Sequence, residues 1–318
     1  MKLIKCTFCE GEAVYLRHHS GERLCKGCFT ESVERQVRHT ISRFNMFGPN
    51  DRIALALSGG KDSVSLLHIL KRIEEDFPNA VLTAVTIDEG IEGYRGEAIE
   101  IARENCERLN VPLRIYSFKE IYGRRLDEIA EASKERGRLS ICSYCGVLRR
   151  KALNLAAKDV RASKLALAHN LDDEAQSMVL SVIRGDLIGL ARLRPVLEEV
   201  GRFIQRVKPL CETPERETAF YAYVKGIRFQ SVPCPYLESS MRSDVRRFLN
   251  ILEGRHSGIK HSVYRSFEKI QASLREFEEG RELEYCQICG EPSSGRICRA
   301  CQSLKELGLT IQPPNPES

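Results

Sequence analysis

Residues 52–63, RIALALSGGKDS, constrain this chain more than any other stretch. Ile53, Leu55 and Leu57 form an apolar run of strand length. Ser58-Gly59-Gly60 predicts a tight turn. Asp62 and Ser63 are helix N-cap residues, and VSLLHILKRI follows with helical spacing. Strand, glycine turn and helix make an anion cradle. Glycine lets backbone approach a ligand, and the first amides of a helix lack intrahelical partners and carry the positive end of its dipole. Lys61 adds a full charge, so a phosphate or pyrophosphate is the predicted ligand. An ordinary βα turn also uses glycine and serine, but Lys61, Asp62 and Ser63 in register favour the cradle. The spacing is not that of a Walker loop, which places four residues between its first glycine and Gly-Lys.

The chain continues as an alternating βα series. VLTAVTID (81–88) reads as a second strand, ending in Asp88-Glu89-Gly90 beside the glycine turn at the carboxyl edge of a parallel sheet. Helix 94–110, strand 113–118 and a basic helix 122–138 follow. Next comes a helix from Gly146 to Lys158, opened by Ser140-Ile141-Cys142-Ser143-Tyr144-Cys145 and carrying Arg149, Arg150 and Lys151. KLALAHN (164–170) reads as a fourth strand, with His169 at its end. From there the carboxylates of Asp172 and Asp173 could reach a Mg²⁺ or organise Lys61; the alternative is plain N-capping of a helix over 173–184, which Asp172 would do well, with one aspartate capping while the other acts. Residues 185–213 read as a basic, proline-containing excursion, 214–225 as a helix with Pro214 at N1, and 240–253 and 257–279 as two further helices. This order predicts a doubly wound α/β domain with right-handed crossovers.

Charge is uneven. Residues 124–164 carry eleven Lys or Arg against five Asp or Glu, and residues 242–265 carry six against two. Both patches fit a polyanionic partner, with solvated helix faces as the bland alternative. Arg246 and Arg247 lie in the second. The apolar runs are too short to span a membrane, and MKLIKCTFCE meets charge and cysteine too early for a secretory signal, so a cytoplasmic location is expected.

Thirteen cysteines in such a chain argue for metal rather than disulfides. Cys6-x2-Cys9, fifteen residues and Cys25-x2-Cys28 suit one structural Zn²⁺. Cys286-x2-Cys289, eight residues and Cys298-x2-Cys301 suit a second. Modules this small lack the apolar mass to fold without metal. Three other cysteines have contexts suited to exposure at a sheet edge: Cys142, Cys145 and Cys234, the last between Pro233 and Pro235. Three thiolates can hold an Fe–S cluster by three corners, act as a redox pair or third zinc site, or pass sulfur as a persulfide.

The SGGKDS turn resembles the SGGxDS signature of PP-loop ATP pyrophosphatases, and His169-Asn170-Leu171-Asp172-Asp173 resembles the H-x-x-D-D motif of their tRNA-modifying members. Together with IDEGIEGYR, CSYCGVLRRKAL, RVKPL, CPY and the two CxxC ribbons, these motifs are similar to those of the tRNA 2-thiouridine synthetases, of the TtuA type or the archaeal–eukaryotic wobble-uridine thiolase type. The match spans nearly the whole chain. It implies that Ser58, Gly59, Gly60, Lys61, Asp62 and Ser63 hold the pyrophosphate of ATP with Mg²⁺, in a nucleotide site that includes Asp88 and His169. It implies a [4Fe–4S] cluster on Cys142, Cys145 and Cys234, and a ubiquitin-like sulfur carrier with a C-terminal thiocarboxylate. Arg149, Arg150, Lys151, Arg246 and Arg247 are the expected tRNA contacts, and Lys61, Asp62, Asp173 and the three cysteines the expected catalytic set.

The expected fold is α/β, a doubly wound, mostly parallel sheet of the PP-loop type (adenine nucleotide alpha hydrolase-like), flanked by N- and C-terminal zinc ribbons. The divisions are an N-terminal zinc ribbon at 1–30, a linker helix at 31–50, a PP-loop catalytic domain at 51–235, a C-terminal helical region at 236–282, a C-terminal zinc ribbon at 283–312 and a tail at 313–318. The expected reaction adenylates the C2 oxygen of a tRNA uridine and replaces it with sulfur, at wobble position 34 before T-loop position 54. Two alternatives stand beside it. One is another PP-loop adenylating enzyme, such as a tRNA lysidine or amide synthetase. The other is a zinc-ribbon tRNA-binding protein with a regulatory ATP site. A homodimer away from membranes is the expected working form.

Overall fold

The computed structural model describes residues 4–77, 79–197, 203–237, 240–274 and 284–309. A small N-terminal module holds β1 (Tyr15–Arg17) and β2 (Glu22–Leu24), and α1 (Lys26–Arg43) follows. The central domain runs β3 (Arg52–Ala56), α2 (Lys61–Glu74), β4 (Val81–Asp88), α3 (Arg95–Leu109), β5 (Leu113–Ser117), α4 (Phe118–Tyr122), α5 (Leu126–Arg136), α6 (Ile141–Asp159), β6 (Lys164–Ala166), α7 (Leu171–Ile183), α8 (Leu187–Ala191), β7 (Gln205–Val207) and α9 (Glu215–Val224). Two helices, α10 (Met241–Arg255) and α11 (Ile259–Leu274), lead to a second small module with β8 (Glu284–Tyr285), β9 (Pro292–Ser293) and α12 (Arg299–Glu306). Among the described residues no helix is long and apolar enough to cross a membrane.

Five strands form one parallel sheet in the order β5-β4-β3-β6-β7. The chain therefore winds outward one way from β3 and then the other way from β6, and the switch point lies between these two strands. Ligand crevices open there, outside the carboxyl ends. Side chains alternate across the sheet as strand geometry requires. Leu55, Leu82, Ala84 and Ala166 enter one core with α1, α2, α3 and α9, while Ala54, Val85, Ile87 and Leu165 enter the other with α5, α6 and α12.

Several boundaries differ from the sequence reading. The excursion at 185–213 contains a fifth strand and α8. Three residues with a central arginine give no alternation to detect, and pairing to β6 makes β7 a strand. The helix expected at 122–138 begins only at Leu126, and a short helix precedes it: Ser117 opens α4 with a capping box and Gly123, at φ +69°, ends it. The helix expected from Gly146 starts at Ile141, since Ser140 accepts the Ser143 N–H, so Cys142 and Cys145 are helical. Pro214 is the N-cap of α9 rather than N1. Residues 275–279 of the expected 257–279 helix, residues 310–312 of the ribbon and the tail at 313–318 lie outside the described residues.

The two terminal modules are not loose ribbons. Cys25 N-caps α1 and Cys298 N-caps α12, each accepting from the backbone of the cysteine three residues on. The expected boundary at 30/31 thus falls inside α1. Leu24 and Phe29 are fully buried, and Tyr15 stacks on Phe220 at 5.1 Å. Arg17 makes two bonds to Glu217 of α9, at 2.9 and 2.8 Å. At the other end Glu291 accepts from Asn154 at 3.0 Å and Lys158 at 2.7 Å, and Tyr144 donates to Glu306 at 3.0 Å.

Asn154 is fully buried, so removing its partner leaves a donor unsatisfied. Glu291→Ala should lower unfolding stability by about 1–3 kcal/mol in urea titration. An unchanged midpoint would mean that the module does not brace α6.

Candidate functional site

The glycine turn leaves β3 at the switch point. Gly59 has φ +85°, and a Cβ there would lie 2.5 Å from the Ala98 carbonyl oxygen of α3, so only glycine fits. Ser63 closes the turn: its Oγ accepts the Ser58 N–H at 3.1 Å and donates to the Gly60 carbonyl at 2.9 Å. Gly60 is the N-cap of α2 and offers no side-chain cap. The first amides of α2 stay available to an anion.

Lys61 stands over this turn, its Nζ 2.7 Å from Asp62 Oδ2 and 2.8 Å from Glu215 Oε1. Burial works against its charge, but these two carboxylates hold the ammonium above its ordinary range. Thr218 donates to Asp62, and Arg246 grips both oxygens of Glu215 at 2.9 and 3.0 Å.

From β6 the chain delivers His169 and α7. Asn170, not Asp172, caps α7. Its Oδ1 accepts the Asp173 N–H at 3.0 Å and Asp173 Oδ2 accepts the Asn170 N–H at 3.2 Å. Asp172 binds Lys260 and takes the Glu215 N–H at 2.9 Å, pinning α9 and α11 to α7. This corrects the capping alternative of the sequence reading, which places Asp172 at the cap. An asparagine one residue before the helix competes for that role, and Lys260 lies too far along the chain to foresee. Burial raises the Asp173 carboxyl to about 6 against the pull of the Asn170 N–H, with the Asp62 and Glu215 charges adding to the rise. Burial lowers His169 to about 3, helped by the Lys208 and Arg149 charges, so it is a neutral imidazole. Asp88 accepts the Gly90 N–H at 2.9 Å and shapes the turn after β4.

Cys142 and Cys145 occupy the first turns of α6, and Cys234 comes from the loop after α9. That loop is tied to the cradle: the Gln230 N–H donates to the Gly59 carbonyl at 2.9 Å, and its side chain donates to the Tyr94 carbonyl at 2.8 Å. Cys142 Sγ donates to the Tyr236 carbonyl at 3.0 Å. Burial raises the Cys145 thiol to about 11. Arg149 opposes the rise, while Glu89, Cys234 and Cys142 add to it. Three thiolates here therefore call for cationic compensation.

The terminal sets are different. Cys9 Sγ lies 3.6 Å from both Cys25 Sγ and Cys28 Sγ, and Cys289 Sγ lies 3.7 Å from Cys298 Sγ. A tetrahedral ion about 2.3 Å from each sulfur separates sulfurs by about 3.8 Å. Each set of four thus fits one Zn²⁺. Among the described residues, these are the two sets whose ligand atoms all lie within 4.8 Å. Cys142, Cys145 and Cys234 do not close to that distance, which disfavours a third zinc and fits a larger cluster.

Of the expected RNA contacts, Arg149 reaches the cysteine site, with Nη1 3.6 Å from Glu89 Oε1. Arg150 and Arg247 are exposed. Lys151 turns away, its Nζ 3.7 Å from Cys301 Sγ, and belongs to the C-terminal metal set rather than to an RNA face. Arg246 lies against Glu215. Sequence reasoning missed Glu89, Arg95, Glu215, Thr218, Gln230 and Lys208. Glu89 and Arg95 lay within the IDEGIEGYR motif, but Glu215 and Gln230 carried no local signal, because their partners are some 150 residues distant.

Comparison with known proteins accords with this geometry. The chain matches the PP-loop domain family over residues 29–252, and the N-terminal LIM domain of the 2-thiouridine synthetase TtuA over residues 5–30. It is 34% identical to the tRNA-5-methyluridine(54) 2-sulfurtransferase of Pyrococcus horikoshii over 317 residues, 99% of each chain. It is 34% identical over 304 residues to cytoplasmic tRNA 2-thiolation protein 1 of Laccaria bicolor, covering 95% of this chain and 85% of that protein. The U34-tRNA thiolase NcsA of Methanococcus maripaludis, solved with its [4Fe-4S] cluster, superposes with a TM-score of 0.84 at 36% identity, over 99% of this chain and all of that one.

Asp173 yields a pH prediction. Its folded pKa is raised, so stability from this group is present at low pH and lost as pH rises through about 6. Asp173→Asn should therefore be more stable than wild type at pH 7.5, by about 1 kcal/mol or more, with the gain shrinking by pH 5.5. Urea titrations at the two pH values test this. A pH-independent difference would contradict it.

Proposed function

Because this chain belongs to the PP-loop family of tRNA 2-thiolation enzymes, we propose that its target is the wobble uridine at position 34. The enzyme is a tRNA-uridine 2-sulfurtransferase that spends ATP to replace oxygen by sulfur at C2. The observation that carries this reading is the meeting of the ATP cradle with Cys142, Cys145 and Cys234 at one sheet edge, in a chain superposable end to end on a U34-tRNA thiolase. The second reading, position 54, draws on the equally long match to the Pyrococcus horikoshii sulfurtransferase.

The C2 oxygen of uridine is a poor leaving group. It attacks the α-phosphate of ATP, an O–P bond forms, and pyrophosphate departs into the Ser58–Ser63 cradle. Lys61 and the α2 amides hold the charge that develops there. Lys61 must exchange Asp62 and Glu215 for phosphate as ATP enters. Asp62 and Asp173 would hold Mg²⁺ beside it, and Asp88 and His169 line the same carboxyl edge, His169 as a neutral hydrogen-bonding group. Sulfur then takes the C2 position and AMP leaves with the original oxygen. Cys142, Cys145 and Cys234 would hold the [4Fe–4S] cluster, which supplies an iron position free to bind sulfur. Each terminal four-cysteine set would hold one Zn²⁺. Arg149, Arg150, Arg246 and Arg247 meet tRNA phosphates, and the target base leaves its stack to reach the site. In this reading a ubiquitin-like protein with a C-terminal thiocarboxylate delivers sulfur, and the enzyme works in the cytoplasm as a homodimer. The dimer draws no support from α1, whose apolar face is already covered in the core.

Position-mapped nucleoside mass spectrometry of tRNA from a deletion strain should show 2-thiolation lost at position 34 and kept at 54. The reverse pattern would move the assignment to the T-loop. Alanine at any one of Cys142, Cys145 or Cys234 should fail to restore the modification while ATP and tRNA binding persist. A dispensable cysteine among the three would sink the cluster assignment.

A further inference from the structure

Glu89 is a carboxylate with 6% of its side chain exposed, set between two guanidinium groups. On one side Oε2 lies 2.7 Å from Arg95 Nε. Arg95 does not need it for hydrogen bonding. Its donors go to the Ile87 carbonyl, at 2.9 and 2.6 Å, and to the Ser58 carbonyl at 2.8 Å. Oε2 is accordingly a buried oxygen with no hydrogen-bond partner among the described residues. On the other side Oε1 lies 3.6 Å from Arg149 Nη1. The Glu89 backbone is fixed as well. Its carbonyl accepts the Leu126 N–H at 2.7 Å, and Gly90 (φ +72°) lies so close to the Arg125 side chain that a Cβ there would be 2.8 Å from Arg125 Cβ.

A buried carboxylate is costly unless its charge serves something. Arg95, held by two backbone carbonyls, is already placed. Arg149 is half exposed on the α6 surface, makes no closer ion pair among the described residues, and would otherwise sample many rotamers. We propose that Glu89 is a positioning residue that aims Arg149 at the RNA beside the cysteine site. Arg95 fixes the carboxylate relative to the Ser58 end of the nucleotide loop, so the arginine is registered to both halves of the reaction. This rests on the assignment of Arg149 to the tRNA made above.

The sign of one measurement separates positioning from simple electrostatics. Glu89→Gln removes a negative charge near a polyanion, so if Glu89 acts only through its own charge, tRNA binds more tightly. If it acts through Arg149, tRNA binds more weakly. The test uses the full chain without iron and an unmodified tRNA transcript, titrated across a salt series, which makes it independent of thiolation activity. Arg149→Ala should weaken binding and reduce the slope of log affinity against log salt by about 1. Glu89→Gln should weaken binding by roughly tenfold, the scale of one lost charge-assisted contact, and the double variant should be no worse than Arg149→Ala alone. Glu89→Gln binding as well as or better than wild type beside a weakened Arg149→Ala overturns the inference, as do additive losses. Wild-type affinity in Arg149→Ala removes the RNA assignment of Arg149 and the inference with it. Should Glu89→Gln not fold, Arg149→Lys decides. It keeps the charge but loses the reach to Glu89, so its salt slope should stay near wild type while affinity falls. Full affinity overturns the proposal.

Discussion

A missing side chain at position 59 holds the site together. The loop backbone rests against α3 at a distance no Cβ would survive. That approach puts the Ser58 carbonyl within reach of Arg95 and the Gly59 carbonyl within reach of Gln230. In the proposed reading, the same few peptide units that face the nucleotide therefore anchor the segment bearing Cys234 and the charge chain leading to Arg149. On that reading, binding ATP and placing the sulfur chemistry are not separate tasks of separate regions. They share one short piece of backbone, and the sheet order brings His169 and Asp173 to it from the adjoining strand.

The charges around this loop are arranged as exchanges. Lys61 is satisfied by Asp62 and Glu215, and Glu215 by Arg246. Each of these cations has an anion that a phosphate can replace. Buried ion pairs of this kind add little to stability compared with apolar packing. Their use is that Lys61 is held in place, rather than free in solvent, before its ligand arrives. Asp172–Lys260 and Glu174–Lys208 are different. They sit deeper, with side chains at most 10% exposed; the first fastens α7 to α11, and the second fastens α7 to the segment after β7.

The PP-loop, the succession of strands along the chain from β3 to β6 and both terminal four-cysteine sets were legible in the sequence because each is local. Strand, turn and helix cues lie within a dozen residues, and paired CxxC motifs need only short closure. The three cysteines of the central site were also singled out, by their contexts and by the motif order. What escaped notice depends on tertiary pairing. β7 is three residues long and has no pattern of its own. Asp172 reads as a cap until Lys260 arrives from α11. Lys151 looks like part of a basic run with Arg149 and Arg150, yet helical rotation turns it to the opposite side, toward Cys301. Neighbours in sequence on a helix point in different directions, so a run of three cations was never one surface.

Helix α6 is about 28 Å long. It presents Cys142 and Cys145 at one end and is flanked along its length by α12 and Glu291. The two partners are far apart in the order of synthesis: α6 ends at Asp159 and the C-terminal module begins at Glu284, 125 residues later (284 − 159). At ordinary ribosomal speeds that gap lasts on the order of ten seconds. During it, the helix bearing Cys142 and Cys145 exists without the partners that Glu291 and α12 give to Asn154, Lys158 and its apolar flank. The nascent chain thus carries α6 without its C-terminal brace while the intervening residues are made, and a module encoded far downstream completes this flank.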